Sequence, residues 1–132
     1  MTFILVGIAG MFGALLRYSL SAAIDGSAAE GAFPAATFCA NIAGAFILGW
    51  FTTYVIAARR LHPQLSAAIG TGLIGSFTTF STFSVETVEL LRGGHWALAL
   101  LYGLASMVGG LLAAALGCLL GKRLVRRREG AE

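Results

Sequence analysis

Residues 70–84, from Gly70 to Ser84, have the sequence GTGLIGSFTTFSTFS and lie within the third of four apolar segments long enough to cross a membrane. Three glycines come first, and hydroxyl side chains interleaved with phenylalanines follow them. Irregular backbone at membrane depth is tolerated only where protein or a water-filled cavity satisfies its polar groups. This segment is therefore predicted to line an interior rather than face lipid.

The composition of the whole chain indicates a membrane protein. Of its 132 residues, 58% are hydrophobic and 11% are charged, whereas soluble domains carry about 25% charged residues. We expect a single domain of four transmembrane helices at about 2–24, 34–58, 64–91 and 96–121. The third helix is about eight residues longer than a straight span requires, which leaves room for a break near 75–79, and residues 122–132 form a basic tail. The predicted fold class is an all-α integral membrane protein.

Basic residues outside these helices are unevenly distributed. Four helices put both termini and the middle loop on one side, and the other side carries only Arg92. The first side carries seven basic residues: Arg59, Arg60, Lys122, Arg123, Arg126, Arg127 and Arg128. The positive-inside rule places those seven in the cytoplasm. The tail is interpreted as an orientation signal held at anionic lipid, in preference to a nucleic-acid-binding segment.

Arg17 and Asn41 are polar residues within the first and second predicted helices, where such groups usually face an interior or a pathway. Arg17 either snorkels to the membrane interface or makes an entrance vestibule attractive to anions, and both interpretations stay open. Asn41 either bonds a neighbouring helix or donates to a passing anion. The first, second and fourth helices contain no acidic residue, which disfavours an exporter of cations.

Phe77, Phe80 and Phe83 recur every three residues and so lie near one face of a helix. Aromatic ring edges carry partial positive charge. Together with the interleaved hydroxyls and an amide, they could replace part of the hydration shell of a small anion without trapping it. Packing alone is the competing interpretation of the rings.

Further polar side chains follow this stretch. Glu86 comes three residues after Phe83 on the same face, where it either pairs with a cation or contributes to gating. Tyr102 and Ser106 are four residues apart in the fourth helix and form a possible donor track. The sequence has no nucleophile–base pair, metal-ligand spacing or phosphate-binding loop, so we do not predict an enzyme.

Three motifs resemble those of the CrcB/Fluc family of fluoride channels: Gly10-x-x-Gly13-Ala14-x-x-Arg17-Tyr18, Asn41-x-x-Gly44-x-Phe46-x-x-Gly49 and the run from Gly75 to Ser84. The resemblance implies a fluoride-selective channel in the bacterial plasma membrane that passively exports fluoride from the cytoplasm. It also implies an antiparallel, dual-topology dimer with two pores. The partner is then a second copy of the chain or an oppositely oriented paralogue.

The resemblance also implies roles for individual residues. The backbone carbonyls of Gly75 and Thr78 would hold a structural sodium ion at the dimer centre, and Arg17 would lie near the entrance vestibule. The implied fluoride pathway comprises Asn41, Phe80, Phe83, Ser81, Thr82, Tyr102, Ser106 and Glu86.

Two other functions stay open on the residues alone. An ion-coupled exporter of a small solute would have Glu86 as its only plausible coupling group. A structural membrane subunit without a pathway would use Asn41 and the phenylalanines for packing only. Changes at Glu86 and at the phenylalanines therefore separate the three functions.

Overall fold

The computed structural model of the chain describes residues 1–24, 31–56 and 61–129. Helix α1 covers Thr2–Ile24, and α2 covers Ala35–Trp50 and continues directly into π-helical Phe51–Ile56. The third span comprises α3 (Pro63–Ala67), π-helical Ala68–Ile74, α4 (Gly75–Phe77) and α5 (Phe80–Arg92). Helix α6 covers Trp96–Glu129. The described residues contain no strand.

Three of the described helices are long and apolar enough to cross a membrane: Thr2–Ile24, Ala35–Ile56 and Trp96–Arg127. The third span is divided by an interruption at Thr78 and Thr79. Large apolar side chains such as Phe3, Leu15 and Leu111 are exposed on the outer faces of the helices, as contact with lipid requires. The prediction of an all-α membrane protein is confirmed.

Helix α6 is longer than the sequence analysis expected. The fourth helix was expected to end near 121, with 122–132 as a tail, but α6 continues to Glu129. Its 34 residues span about 51 Å, well beyond a hydrocarbon core of about 30 Å. Lys and Arg are good helix formers and interact favourably with a helix C-terminus, which explains the extension.

Two threonines accompany the π-helical end of α2. The hydroxyls of Thr52 and Thr53 donate to the carbonyls of Leu48 and Gly49 at 2.7 and 2.8 Å. Such bonds compete with the regular helix ladder and bend helices. The last residues of the predicted second helix, 57–58, lie outside the described residues, as do Arg59 and Arg60.

Helices α2 and α6 pack backbone against backbone. A Cβ added to Gly117 would collide with the Phe46 carbonyl, and one added to Gly49 would collide with the Ala114 carbonyl. Close approach of this kind drives helix association in membranes, where lipid is as apolar as the side chains. This close packing fixes the relative positions of Asn41 on α2 and of Tyr102 and Ser106 on α6.

Helix α1 packs in the same way against the first part of the third span. A Cβ on Gly13 would collide with the Leu73 carbonyl, and one on Gly10 would come within 3.0 Å of Ser76 Oγ. Arg17 lies one turn beyond Gly13 on the same face of α1. This contact therefore brings Arg17 to the interruption of the third span.

Candidate functional site

Asn41 holds the break in the third span. Thr78 and Thr79 have extended backbone there, with ψ of 155° and 123°. The Thr79 N–H donates to Asn41 Oδ1 at 2.8 Å, and Asn41 Nδ2 donates to the Thr79 carbonyl at 3.0 Å. An amide group has two N–H donors, so the described hydrogen bonds leave one N–H of Asn41 over.

The break also releases two backbone carbonyls. In a continuous helix the Gly75 carbonyl would accept from the Thr79 N–H, and the Thr78 carbonyl from the Thr82 N–H. Instead, the Thr79 N–H binds Asn41, and the Thr82 N–H binds Thr79 Oγ1 at 3.2 Å. Within the described part of the chain, the Gly75 carbonyl keeps a 3.3 Å bond from the Thr78 hydroxyl. Both carbonyls are thus left without their helical amide donors.

Arg17 reaches the break from α1. It is half-buried, and its Nε donates to the Ser76 carbonyl at 3.4 Å, a long hydrogen bond. The side chain thus contacts the middle of the third span and does not simply extend to an interface. Its predicted role at an entrance vestibule stays a prediction.

A cavity of about 480 Å³ opens beside the break, between α2, α5 and α6. Small residues, Gly44 and Gly103 among them, make room for it. Its polar and aromatic lining comes from Asn41, Thr78, Thr79, Ser106, Phe80 and Phe83. The structure therefore brings together four residues of the predicted fluoride pathway, two from the broken span and one each from α2 and α6.

The hydroxyl of Ser106 is buried and has no hydrogen-bond partner among the described residues. Nearly all buried polar groups in native proteins are paired, and an unpaired one costs about 1–3 kcal/mol. Ser106 lines the cavity together with Asn41, Phe80 and Phe83, and the ring centroids of the two phenylalanines are 5.9 Å apart. Hydrogen-bond donors without a partner, together with aromatic rings around one cavity, favour binding of an anion.

Glu86, Tyr102 and Thr37 form a second polar cluster. Tyr102 donates its phenolic proton to Glu86 Oε2, and Thr37 donates to Glu86 Oε1, each at 2.7 Å. Tyr102 is fully buried, and its ring centroid lies 4.9 Å from that of Phe83. Phe83 therefore borders both the cavity, which it lines, and the cluster around Glu86. The predicted donor track is divided, because Tyr102 belongs to the Glu86 cluster and Ser106 lines the cavity.

Ser81 and Thr82 lie outside the cavity lining, in the first turn of α5. Their hydroxyls pair with Thr79 Oγ1 at 3.3 and 3.0 Å. The same Thr79 oxygen caps the helix by accepting from the Thr82 N–H. In this single chain the two hydroxyls belong to the helix cap, and their role in a pathway stays a prediction.

Thr37 and Thr79 are site residues that the sequence analysis did not identify. Thr37 precedes Asn41 by four residues and therefore shares its helix face, a signal that was available in the sequence. Thr79 stands three residues before Thr82 at the start of an apolar-aromatic run, as N-cap residues do. The sequence contains many other serines and threonines, and their spacing alone did not single out these two.

Apolar helices around a cavity that contains a few polar side chains, beside a broken span, define a multi-pass membrane protein with a candidate site between its helices. Residues 4–118 match the family model described as CrcB-like protein, Camphor Resistance (CrcB), and this range includes every residue of the candidate site. The chain belongs to this family. The resemblance inferred from its three motifs is confirmed.

Named relatives cover most of the chain. A Bacillus cereus protein named fluoride-specific ion channel FluC 1 is 46% identical over 125 residues, which are 95% of this chain and 90% of the relative. A Desulfitobacterium hafniense protein of the same name is 51% identical over 107 residues, 81% of this chain and 91% of the relative. A Listeria monocytogenes protein named fluoride-specific ion channel FluC 2 is 40% identical over 129 residues, 98% and 97% of the two chains.

Proposed function

We propose that this chain is the subunit of a fluoride-specific ion channel of the bacterial plasma membrane. It passively exports fluoride from the cytoplasm and so lowers the toxicity of the ion. The names of its relatives support this proposal, as does the donor-lined cavity. Because the relatives are ion channels by name, the prediction that the chain is not an enzyme is confirmed.

The observation that carries the proposal is the buried, unpaired hydroxyl of Ser106, a residue that lines the cavity. Fluoride is a small, strong hydrogen-bond acceptor, and it would satisfy this hydroxyl and the remaining N–H of Asn41. The ring edges of Phe80 and Phe83 add weak positive potential. Among the described residues no Lys or Arg lines the cavity, so an anion is stabilised without the fixed positive charge that would hold it too tightly to conduct.

A second copy of the chain, in antiparallel orientation, completes this site in our proposal. Phe80 is 80% exposed in the single chain, and Gly75 beside the break is exposed as well. A released backbone carbonyl cannot face lipid at membrane depth without a large cost, so protein must cover it. The uneven distribution of Lys and Arg equally suits an oppositely oriented paralogue, and the homodimer is favoured because most of the basic residues come last in the chain.

A structural sodium ion at the centre of this dimer fits the released carbonyls. Unwound carbonyls and half-helix C-terminal ends are the groups that coordinate sodium in membrane transport proteins. Gly75 and Thr78 each offer one, so two copies offer four. The described residues hold no cluster of three His, Cys, Asp or Glu side chains that could bind a metal. When bound, the ion would supply a charge that ties the two breaks together.

Fluoride efflux from liposomes that contain the purified protein tests the proposed function. We expect fluoride to leave passively, down its gradient, while chloride is retained. Absence of passive fluoride efflux would contradict a channel, and equal efflux of chloride would contradict specificity. Protein-free liposomes measure the leak.

Glu86→Gln distinguishes this channel from the ion-coupled exporter. A coupled exporter loses transport when its only coupling carboxylate is removed, whereas a channel continues to conduct. The change leaves an amide that can still accept from Thr37 or Tyr102, although more weakly. Glu89→Gln, at an exposed site one turn further along α5, is the matched control. We expect passive fluoride efflux from both variants.

A further inference from the structure

Arg17 is a permanent positive charge fixed beside the break. A guanidinium group stays protonated in proteins, and the Nε of Arg17 donates to the Ser76 carbonyl at 3.4 Å. Its position is set by the close contact of α1 with the third span, where Gly10 faces Ser76 Oγ and Gly13 faces the Leu73 carbonyl. The guanidinium is therefore held against the third span at Ser76, just before the break.

The stretch around Ser76, which Arg17 contacts, is the C-terminal end of a helical segment and carries partial negative charge. The segment from Pro63 to Phe77 ends at the break, and the unpaired carbonyls of a helix C-terminus carry partial negative charge. Ser76 lies between Gly75 and Thr78, whose carbonyls are released. Three carbonyls of one short stretch could thus act as cation ligands, and Arg17 donates a hydrogen bond to the middle one.

We propose that Arg17 restricts the cation site at the break to a monovalent ion. It does so in two ways, and both rest on the proposed function with its central sodium ion. The hydrogen bond to Ser76 competes with a cation for that carbonyl, whose oxygen has two lone pairs. The fixed charge repels any bound cation, and this repulsion is twice as large for a divalent ion as for a monovalent one.

The remaining ligands also favour a monovalent ion. A divalent cation is costly to dehydrate and is usually bound by carboxylates, and the carbonyls of Gly75 and Thr78 are neutral. An antiparallel dimer brings two arginines to one site, so the repulsion acts from both sides. Arg17 is thus a specificity-determining residue for the cation, not a part of the fluoride pathway.

Thermal unfolding of the purified full-length dimer in detergent tests this proposal without measuring transport. Samples contain Na⁺, Ca²⁺ or, as ionic-strength control, N-methylglucamine. For the wild type we expect Na⁺ to raise the unfolding midpoint by several degrees above the control and Ca²⁺ to leave it unchanged. For Arg17→Gln we expect stabilisation by Ca²⁺ and Na⁺ binding tighter by at least about tenfold.

Arg17→Lys keeps the charge and is expected to keep the wild-type pattern, while Arg92→Gln removes an exposed arginine at the end of α5 and is expected to change nothing. A wild type that Ca²⁺ stabilises as strongly as Na⁺ overturns the inference, even if Arg17→Gln fails to fold. An Arg17→Gln variant with the wild-type pattern also overturns it. If no cation stabilises the wild type, the proposed sodium site is wrong and this inference fails with it, whatever the fluoride efflux shows.

Discussion

The two halves of the third span, Pro63–Phe77 and Phe80–Arg92, differ in what surrounds them. The first half lies tightly against α1, where Gly72 is buried, and its Ile74 is buried against Phe51 and Val55. The second half leaves Phe80 80% exposed and presents Phe83 to the cavity and to Tyr102. One half is scaffold, built from glycines that permit backbone contact. The other carries the side chains that an ion would meet.

The break between the halves is where the two roles meet. Asn41 fixes it from α2, Arg17 contacts it from α1, and Thr79 begins the second half as a helix cap. Changes in the first half should therefore abolish folding, and changes in the second half should alter flux in protein that still folds. Changes at the break should affect both folding and flux.

Gly13→Leu should have the largest effect. The new side chain would collide with the Leu73 carbonyl, a backbone atom that cannot rotate away. Overpacking of this kind costs about 3 kcal/mol or more, so we expect little folded dimer by size-exclusion chromatography. Gly7→Leu on the same helix is the control, since a Cβ there meets no other described atom within 4 Å. If both variants assemble equally well, the scaffold role of the first half is wrong.

Asn41→Asp should have an intermediate effect on both folding and flux. The carboxylate still accepts from the Thr79 N–H, but it cannot donate to the Thr79 carbonyl or to an anion. We expect a loss of stability of about 1–3 kcal/mol and a fall in fluoride efflux of at least about tenfold, because a negative charge now lines the cavity. Thermal unfolding and liposome efflux measure the two effects. Wild-type efflux from this variant would remove Asn41 from the pathway.

Ser106→Ala should have the smallest effect on the fold. The hydroxyl has no partner to lose among the described residues, so stability should stay the same or rise by up to about 1 kcal/mol. Fluoride efflux should fall several-fold because a donor to the ion is gone. Ser84→Ala is the control: its hydroxyl donates to the Phe80 carbonyl of its own helix at 2.8 Å. An equal response of the two variants would argue that Ser106 does not meet the ion.

The pattern of residues 70–84 was sufficient to predict a segment that lines an interior, and the surplus length of the third predicted helix left room for the break. Glycines and hydroxyls are local features, and their conflict with a lipid-facing helix is visible in the sequence. The pairing of Asn41 with Thr79 was not predictable in the same way, since it joins residues 38 positions apart. It depends on how closely α2 approaches the break, and Gly44, against which Thr78 packs, sets that approach.

The sequence also overstated the number of free hydroxyl donors. Ser84 and Thr87 donate to carbonyls one turn back in α5, and Thr79 donates to Thr82 Oγ1. Short hydroxyl side chains commonly find such local partners. Spacing alone cannot distinguish them from Ser106, whose hydroxyl finds none in the described structure. Burial and pairing in three dimensions identify the donor.

Phe83→Ile provides the most direct test that the second half of the span lines the ion path. Fluoride efflux is measured per folded dimer, with Phe12→Ile, a change at an exposed α1 site, as the control. We expect Phe83→Ile to lower efflux by at least about tenfold, since the aromatic edge is lost, and Phe12→Ile to conduct like the wild type. Unchanged efflux per folded dimer from Phe83→Ile, with stability alone reduced, would contradict the account and favour a purely structural role for the rings.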